Sequence, residues 1–384
     1  MTKIIKFNVD ELVPQIAMAS SVVLSNNTLP ILADLRLSTK DDGMGGTYLE
    51  IMASDGETWL QVKSTLAEAE VGIEFCIAQK DFLQALRNLS GKFVTMTIDE
   101  DKKIASCVYE NGHFSLPYDN AIEYPMPIQN TEDSVVKRIE ASRLLTAIEK
   151  AGFATANDEL RPVMNGVHFD FKQDHMVAVA SDGHKLAKHM DLTIKGIANE
   201  PDSEFTLHKK PSHILMNVLN KQTGDVKIMF NERVVIVNNT TFKLCTRLIE
   251  GRYPNYDAVI PKDNDKVAVI EKKAFVSALK RVLPMSNDTV ELVSLELADG
   301  KMKINSEDID FSKAASEIVP CEYNDTPITI GFKGSTLLQM LANIDGEKVE
   351  LLLSDASKAG VIKEAEENAF GYDYVSLLMP MLIS

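Results

Sequence analysis

The chain has 384 residues, 45% of them hydrophobic and 25% charged, with a net charge of −16. These proportions describe an ordinary soluble globular protein long enough for two or three domains, and the acidic total excludes a uniformly basic nucleic-acid-binding surface while leaving room for a local basic face. The opening MTKIIKFNVDELVPQI lacks the apolar core of a signal peptide, no apolar run approaches the ~18 residues of a membrane span, and Cys76, Cys107, Cys245 and Cys321 are too scattered for a zinc site or a disulfide framework, so a reducing cytoplasm is expected.

A helix is predicted over 10–24, where Leu12, Val13, Ile16 and Ala19 follow helical spacing and Pro14 falls near the first turn. An alternating run, ILADLRLS, follows, and then IMASDGETWL (51–60), whose Asp55-Gly56 reads as a hairpin turn. A second helix, QKDFLQALRNLSG (79–91), ends at a glycine and passes into the strand KFVTMTID. The pattern then repeats. A helix at 142–153 (Leu144, Leu145, Ile148) leads to MNGVHFDF and to VAVASDGHKL (177–186), where Ala-Ser-Asp-Gly recurs at 180–183. A helix at 209–224 leads to DVKIMFNERVVIVNN. A third copy has helices at 273–283 and 333–346, with KINSEDIDF in the place of the second hairpin. The first helix recurs at steps of 132 and 131 residues, from 10 to 142 to 273. Each unit reads helix, strands, helix, strands, and strands that follow one another without helices argue for antiparallel sheet in an α+β fold. The polar junctions are QNTEDSVVKR (129–138) and PKDNDK (261–266), which gives domains at 1–130, 131–261 and 262–384.

Catalytic signatures are missing: there is no P-loop, HExxH, GxSxG or GxGxxG. A hydrolase built on Asp55 and Asp182 is the main rival reading, and a monomeric β-rich scaffold is another. Nothing in the sequence brings the two carboxylates together, so an enzyme is not expected. No cofactor and no metal ligand set is expected either. Basic residues carry more. Lys80 and Arg87, Arg143 and Lys150, and Lys273 and Lys280 each lie seven apart on a predicted helix, close to two turns, so each pair shares a face. Two segments are unexpectedly apolar: the tail YVSLLMPMLIS (374–384) and the inter-unit stretch GRYPNYDAVIP (251–261). Docked on a domain surface, they would border a groove.

The stretches TLPIL (28–32), RPVMNGVHFDF (161–171), ASDGHKLA (180–187), RYPNYDAVIP (252–261) and LLMPML (377–382) resemble the β subunit of bacterial DNA polymerase III, in order and over essentially the whole chain. The resemblance implies three tandem DNA-clamp domains, each with two helices packed on antiparallel sheet, closing as a homodimer into a head-to-tail ring around duplex DNA of any sequence. It implies a cytoplasmic processivity factor in DNA replication that tethers the polymerase III α subunit, the clamp loader and other proteins bearing a clamp-binding motif. The implied peptide pocket is Met164, Ser181, Gly183, His184, Lys185, Leu186, Pro254, Val259, Leu377, Met379, Pro380 and Met381. The DNA-facing residues would be Lys80, Arg87, Arg143, Lys150, Arg161, Lys273 and Lys280, and the dimer interface Phe114, Leu116, Leu283 and Met285. The family pattern is departed from at Asn26, Pro162, Val163, Lys185 and Ala258.

Overall fold

The structure, a computed structural model, describes residues 2–27, 29–89, 91–128, 133–194, 202–366 and 371–383. Residues 129–132 of the first predicted junction, Thr28 and Ser384 lie outside the described residues. Six α-helices occur among those described: α1 (Val9–Ala19), α2 (Gln79–Arg87), α3 (Ala141–Gly152), α4 (Lys209–Leu219), α5 (Lys272–Val282) and α6 (Gly334–Ala342). They are the six that the apolar periodicity predicts, with shifted ends. Asn8 caps α1 by accepting the Asp10 N–H at 2.8 Å, so the helix starts early and Pro14 lies in its interior rather than its first turn. The glycines predicted to end the second helices lie beyond them: α2 stops at Arg87 and α4 at Leu219, while Gly91 and Gly224 take φ of +73° and +76° in the turns that follow.

The chain divides into two compact units, Met1–Ser142 with His213–Leu248 and Arg143–Ser212 with Ile249–Ser384. Every strand pairing described is antiparallel. In the first unit one sheet of 13 strands runs from Val135–Glu140 through Asp225–Phe230, Val234–Asn238 and Phe242–Arg247 to Thr58–Thr65 and the remaining strands of the first third. Helix α1 packs on α2 and on strand Thr58–Thr65. Phe82, Leu83 and Leu86 of α2 are buried, whereas Lys80 and Arg87 on its other side are exposed.

In the second unit a sheet of 12 strands begins Ser203–His208, Gly166–Phe171, Met176–Ser181, Lys185–Asp191 and continues through Tyr372–Leu378 and Gly360–Glu364 to the edge strand Ile328–Lys333. The middle third of the chain therefore gives four strands to each sheet. The joins are ordinary ladders between open edges: Phe242 opposite Val62 in one unit, and Lys185 opposite Leu378 in the other.

Two histidines of the second unit are buried. His168, 3% exposed, stacks on Tyr253 at 4.5 Å, and its Nδ1 is 3.1 Å from Thr206 Oγ1. His189, 1% exposed, lies 4.7 Å from the Tyr372 ring, with Asp191, Lys150, Asp345 and Arg143 around it. Burial pushes both imidazoles down to about 4 from the usual 6.5. The unfolded chain then binds more protons than the folded one between those values, so stability is complete above pH 6.5 and falls as pH drops. We expect a loss of roughly 2 kcal/mol per histidine between pH 6.5 and 5. Urea midpoints across that range should show it, and His189→Leu should flatten the slope; an unchanged slope would count against the assignment.

Candidate functional site

The two Ala-Ser-Asp-Gly copies fold into the same turn. Asp55 Oδ1 accepts the N–H groups of Glu57 and Thr58 at 3.0 and 2.7 Å, and Asp182 Oδ1 accepts those of His184 and Lys185 at 2.8 Å each. Gly56 and Gly183 sit at φ of +93° and +90°, where a side chain is strained. Burial raises the Asp182 carboxyl, but hydrogen bonds from Lys185 and the turn N–H groups outweigh it and hold the group below the usual range. Both carboxylates are engaged as turn caps.

Around the second turn the structure joins Ser181, Gly183, His184, Lys185, Leu186, Leu377 and Met379 of the residues named from the resemblance. Leu186 stands opposite Leu377 in the ladder, and the two join Val177, Val179, Ala359 and Tyr253 in one buried apolar cluster. Val163, Met190, Tyr256 and Ile260 pack against it. Met164, 6% exposed, is held by its N–H to Arg161 O at 3.0 Å. The Ser181 hydroxyl donates to Lys185 O at 2.8 Å, and the Gly183 N–H donates to Ser181 Oγ at 3.1 Å. The tail then passes beside the turn: the Met379 N–H donates to His184 O at 2.8 Å, while Pro380 and Met381 are half-buried. Pro254 is exposed, and Val259 and Met379, 56% and 41% exposed, leave apolar surface at the rim. A groove of about 500 Å³ continues past Met190 and Ile260 along Lys188, Asp373 and Val375.

Sequence reasoning overlooked Val177, Val179, Tyr253 and Ala359. The strand alternation of MVAVAS signals the two valines. Tyr253 belongs to a stretch marked as too apolar for a linker, whereas nothing local marks Ala359. Nearby, His168, Asp170 and Glu204 bring potential metal-ligand atoms within 4.8 Å of one another. Lys172 Nζ lies 3.0 Å from Asp170 and 3.2 Å from Asp202, and the Tyr256 hydroxyl donates to Asp170 at 2.8 Å. The cluster thus carries its own cation and buttresses the tyrosine wall.

The basic residues divide. Lys80 and Arg87 line one shallow depression with Gln79, Leu83, Gln84 and Asn88, as the spacing of seven requires, and Lys273 and Lys280 are exposed on α5. Arg143 pairs with the buried Asp191 at 3.1 Å. Arg161 pairs with Asp158 at 2.8 Å, and its guanidinium lies against Gly183, beside the apolar cluster. Lys150 is a correction: only 5% exposed, its ammonium pairs with Asp345 at 2.9 Å, donates to Asn343 O, and lies over the Tyr372 and Tyr374 rings at 5.2 and 5.4 Å. It shares a helix face with Arg143, but that face is covered at its C-terminal end, so its charge is consumed inside the protein.

Besides the end strands of each sheet, two inner strands are open along most of one side among the described residues. Strand Gly112–Asp119 is paired along 112–117 with Ile104–Tyr109, but on its other side only Tyr118 and Asp119 are paired. Strand Lys313–Glu322 is likewise paired along 313–320 with Lys301–Asp308, with only Cys321 and Glu322 paired beyond. Phe114 and Leu116 are half-buried on the first of these strands. Leu283 is half-buried and Met285 38% exposed just after α5.

Replacing Lys150 by Met should leave Asp345 and the Asn343 carbonyl without their cation. Because Asp345 keeps partial solvent access, we expect a loss of roughly 1–3 kcal/mol in urea unfolding, against less than about 0.5 kcal/mol for the exposed Lys280→Ala. Equal midpoints for the two variants would contradict the burial of Lys150.

Three family models match the chain in succession: the N-terminal domain of the DNA polymerase III beta subunit over residues 4–128, its central domain over 138–255 and its C-terminal domain over 257–381. The chain is 26% identical over 373 residues to the beta sliding clamp of Pseudomonas putida, covering 97% of this chain and 98% of that one. It is 28% identical over 363 residues to that of Haemophilus influenzae, covering 94% of each. The crystal structure of the DNA polymerase III subunit beta from Pseudomonas aeruginosa superposes with a TM-score of 0.90 at 24% identity, over 99% of this chain and 100% of that one. With family matches that span nearly its whole length, the chain belongs to the DNA polymerase III beta subunit family.

Proposed function

We infer that this protein is a DNA sliding clamp, a non-enzymatic processivity factor of replication; the single observation that carries this is the unbroken succession of the three family-model matches. In the finer reading the chain forms three clamp domains, with boundaries near 130 and 261, and two copies close head to tail. The two open strand edges support this closure. An unpaired edge of six or more residues invites another strand, and a head-to-tail contact needs two different surfaces on each copy. Residues 112–117 of one copy would pair with 313–320 of the next, with Phe114 and Leu116 meeting Leu283 and Met285. Duplex DNA of any sequence would then be held by topology and by phosphate contacts from Lys80, Arg87, Lys273 and Lys280, with Arg143 and Arg161 contributing if they exchange Asp191 and Asp158 for phosphate. No helix among the described residues is long and apolar enough to cross a membrane, and in the finer reading the protein works in the cytoplasm.

The apolar cluster beside the second turn is the docking pocket for short peptide motifs of the polymerase α subunit, the clamp loader and other clamp-binding proteins. Its rim of Val259, Met379 and Met381 offers aliphatic and thioether surface that adapts to varied anchors. Burying one leucine or phenylalanine anchor there is worth about 1.5–3 kcal/mol.

Leu116→Asp combined with Met285→Asp should give folded monomers by light scattering, because two charges would be buried at the joint. A dimer with native circular dichroism would refute the interface. Deleting residues 379–384 should leave a dimer that still binds duplex DNA, with affinity falling steeply as salt rises. It should weaken a fluorescent peptide carrying leucine and phenylalanine anchors at least about tenfold, ~1.4 kcal/mol. Equal peptide affinity for intact and truncated protein would move the pocket elsewhere.

A further inference from the structure

Met379, Pro380 and Met381 lie beyond the last strand described, Tyr372–Leu378, outside its ladder. Two main-chain hydrogen bonds hold this segment: Met379 N–H to His184 O, and Met381 N–H to Gly331 O, each 2.8 Å. Pro380, between them, has no N–H to offer. The second bond is an antiparallel bridge to Gly331 of strand Ile328–Lys333, which stands at the edge of its sheet. The tail is thus a strap pinned to the Asp182 turn at one point and to a sheet edge at the other.

We propose that Gly331 is a positioning residue for the docking pocket: its missing side chain seats the strap, and Ile383 beyond it locks the strap in place. A Cβ at Gly331 would lie 2.7 Å from Met381 O, 2.9 Å from Ile383 Cγ1 and 2.9 Å from Leu292 Cδ1. Leu292 can turn aside, but the Met381 carbonyl is main chain, so the strap itself must shift. The strand makes no such demand, because Gly331 lies outside the left-handed region and alanine is accepted there. Ile383, 45% exposed and one residue past the bare Leu382, lies over Gly331 and lines, with Leu292 and Val290, one side of a largely polar groove of about 850 Å³.

This inference rests on the docking reading, and full-length variants separate the two. A fluorescein-labelled synthetic peptide with adjacent leucine and phenylalanine anchors would be titrated into wild type, Gly331→Ala, Ile383→Ala, Met379→Ala/Met381→Ala, and each of the first two combined with the last. We expect Gly331→Ala to weaken binding about fivefold or more and Ile383→Ala about threefold, with dimer mass unchanged. In the Met379→Ala/Met381→Ala background neither should cause much further loss, since neighbouring residues that act through one element are non-additive. If the methionine pair weakens binding while Gly331→Ala and Ile383→Ala do not, the positioning role is wrong. The same holds if their losses persist undiminished in that background, because a general structural defect would behave so. If the methionine pair itself leaves affinity unchanged, the docking reading fails. Should Gly331→Ala fold poorly, the Ile383→Ala cycle decides alone.

Discussion

The ladder between Lys185–Asp191 and Tyr372–Leu378 governs the second unit. Its seven pairs run from Lys185 opposite Leu378 to Asp191 opposite Tyr372. Side chains alternate across a strand, so this register sends Leu186 and Leu377 to one face and His189 and Tyr374 to the other. A slip of one residue would exchange the faces, placing a histidine and a tyrosine in the apolar cluster and leucines among the charges. The ladder also decides where the tail emerges. Because Leu378 ends beside Lys185, Met379 arrives at the His184 carbonyl and the chain end borders the turn.

The opposite face of the same ladder is polar where a core would ordinarily be apolar. Lys150, Asp345, Arg143, Asp191, Tyr372 and Glu364 meet there in ion pairs and hydrogen bonds. Both His189 nitrogens are buried without a hydrogen-bond partner among the described residues. Desolvated groups of this kind oppose folding unless paired, so Lys150 matters through what it neutralises. The contrast with Lys80 and Lys280 lies in surroundings, since the residue type and the helical spacing are the same.

The repeated turn shows how one local structure serves two ends. Three residues after Gly56 stands Trp59, and three after Gly183 stands Leu186. Trp59, 4% exposed, donates its indole N–H to Pro125 O at 2.8 Å and is enclosed by Leu32, Met52, Tyr124, Val234 and Cys245. The bulky ring fills its cluster. At Leu186 the smaller side chain and the half-buried tail leave a rim of Val259 and Met379 open to solvent. The turn is identical because an Asp side chain and a positive-φ glycine define it locally; what lies against it is set by strands far away in sequence.

The sequence by itself determined the six helices, the threefold repetition, the antiparallel character and the family, because apolar periodicity, Asp-Gly turns and ordered motifs are local and additive signals. It also placed Lys80 with Arg87 correctly on one face, since helical geometry alone fixes that. Helix ends shifted because Asn8 caps earlier than the apolar pattern begins. Only the tertiary structure decided that the middle third divides its strands between two sheets, that Tyr253 and Ala359 join Leu186, that Lys150 is enclosed, and that the tail bridges to Gly331. Each of these depends on which strand edges meet and on what is packed over a given face. Those are contacts between residues more than a hundred positions apart, as with Lys150 and Tyr374, and no short window of sequence contains them.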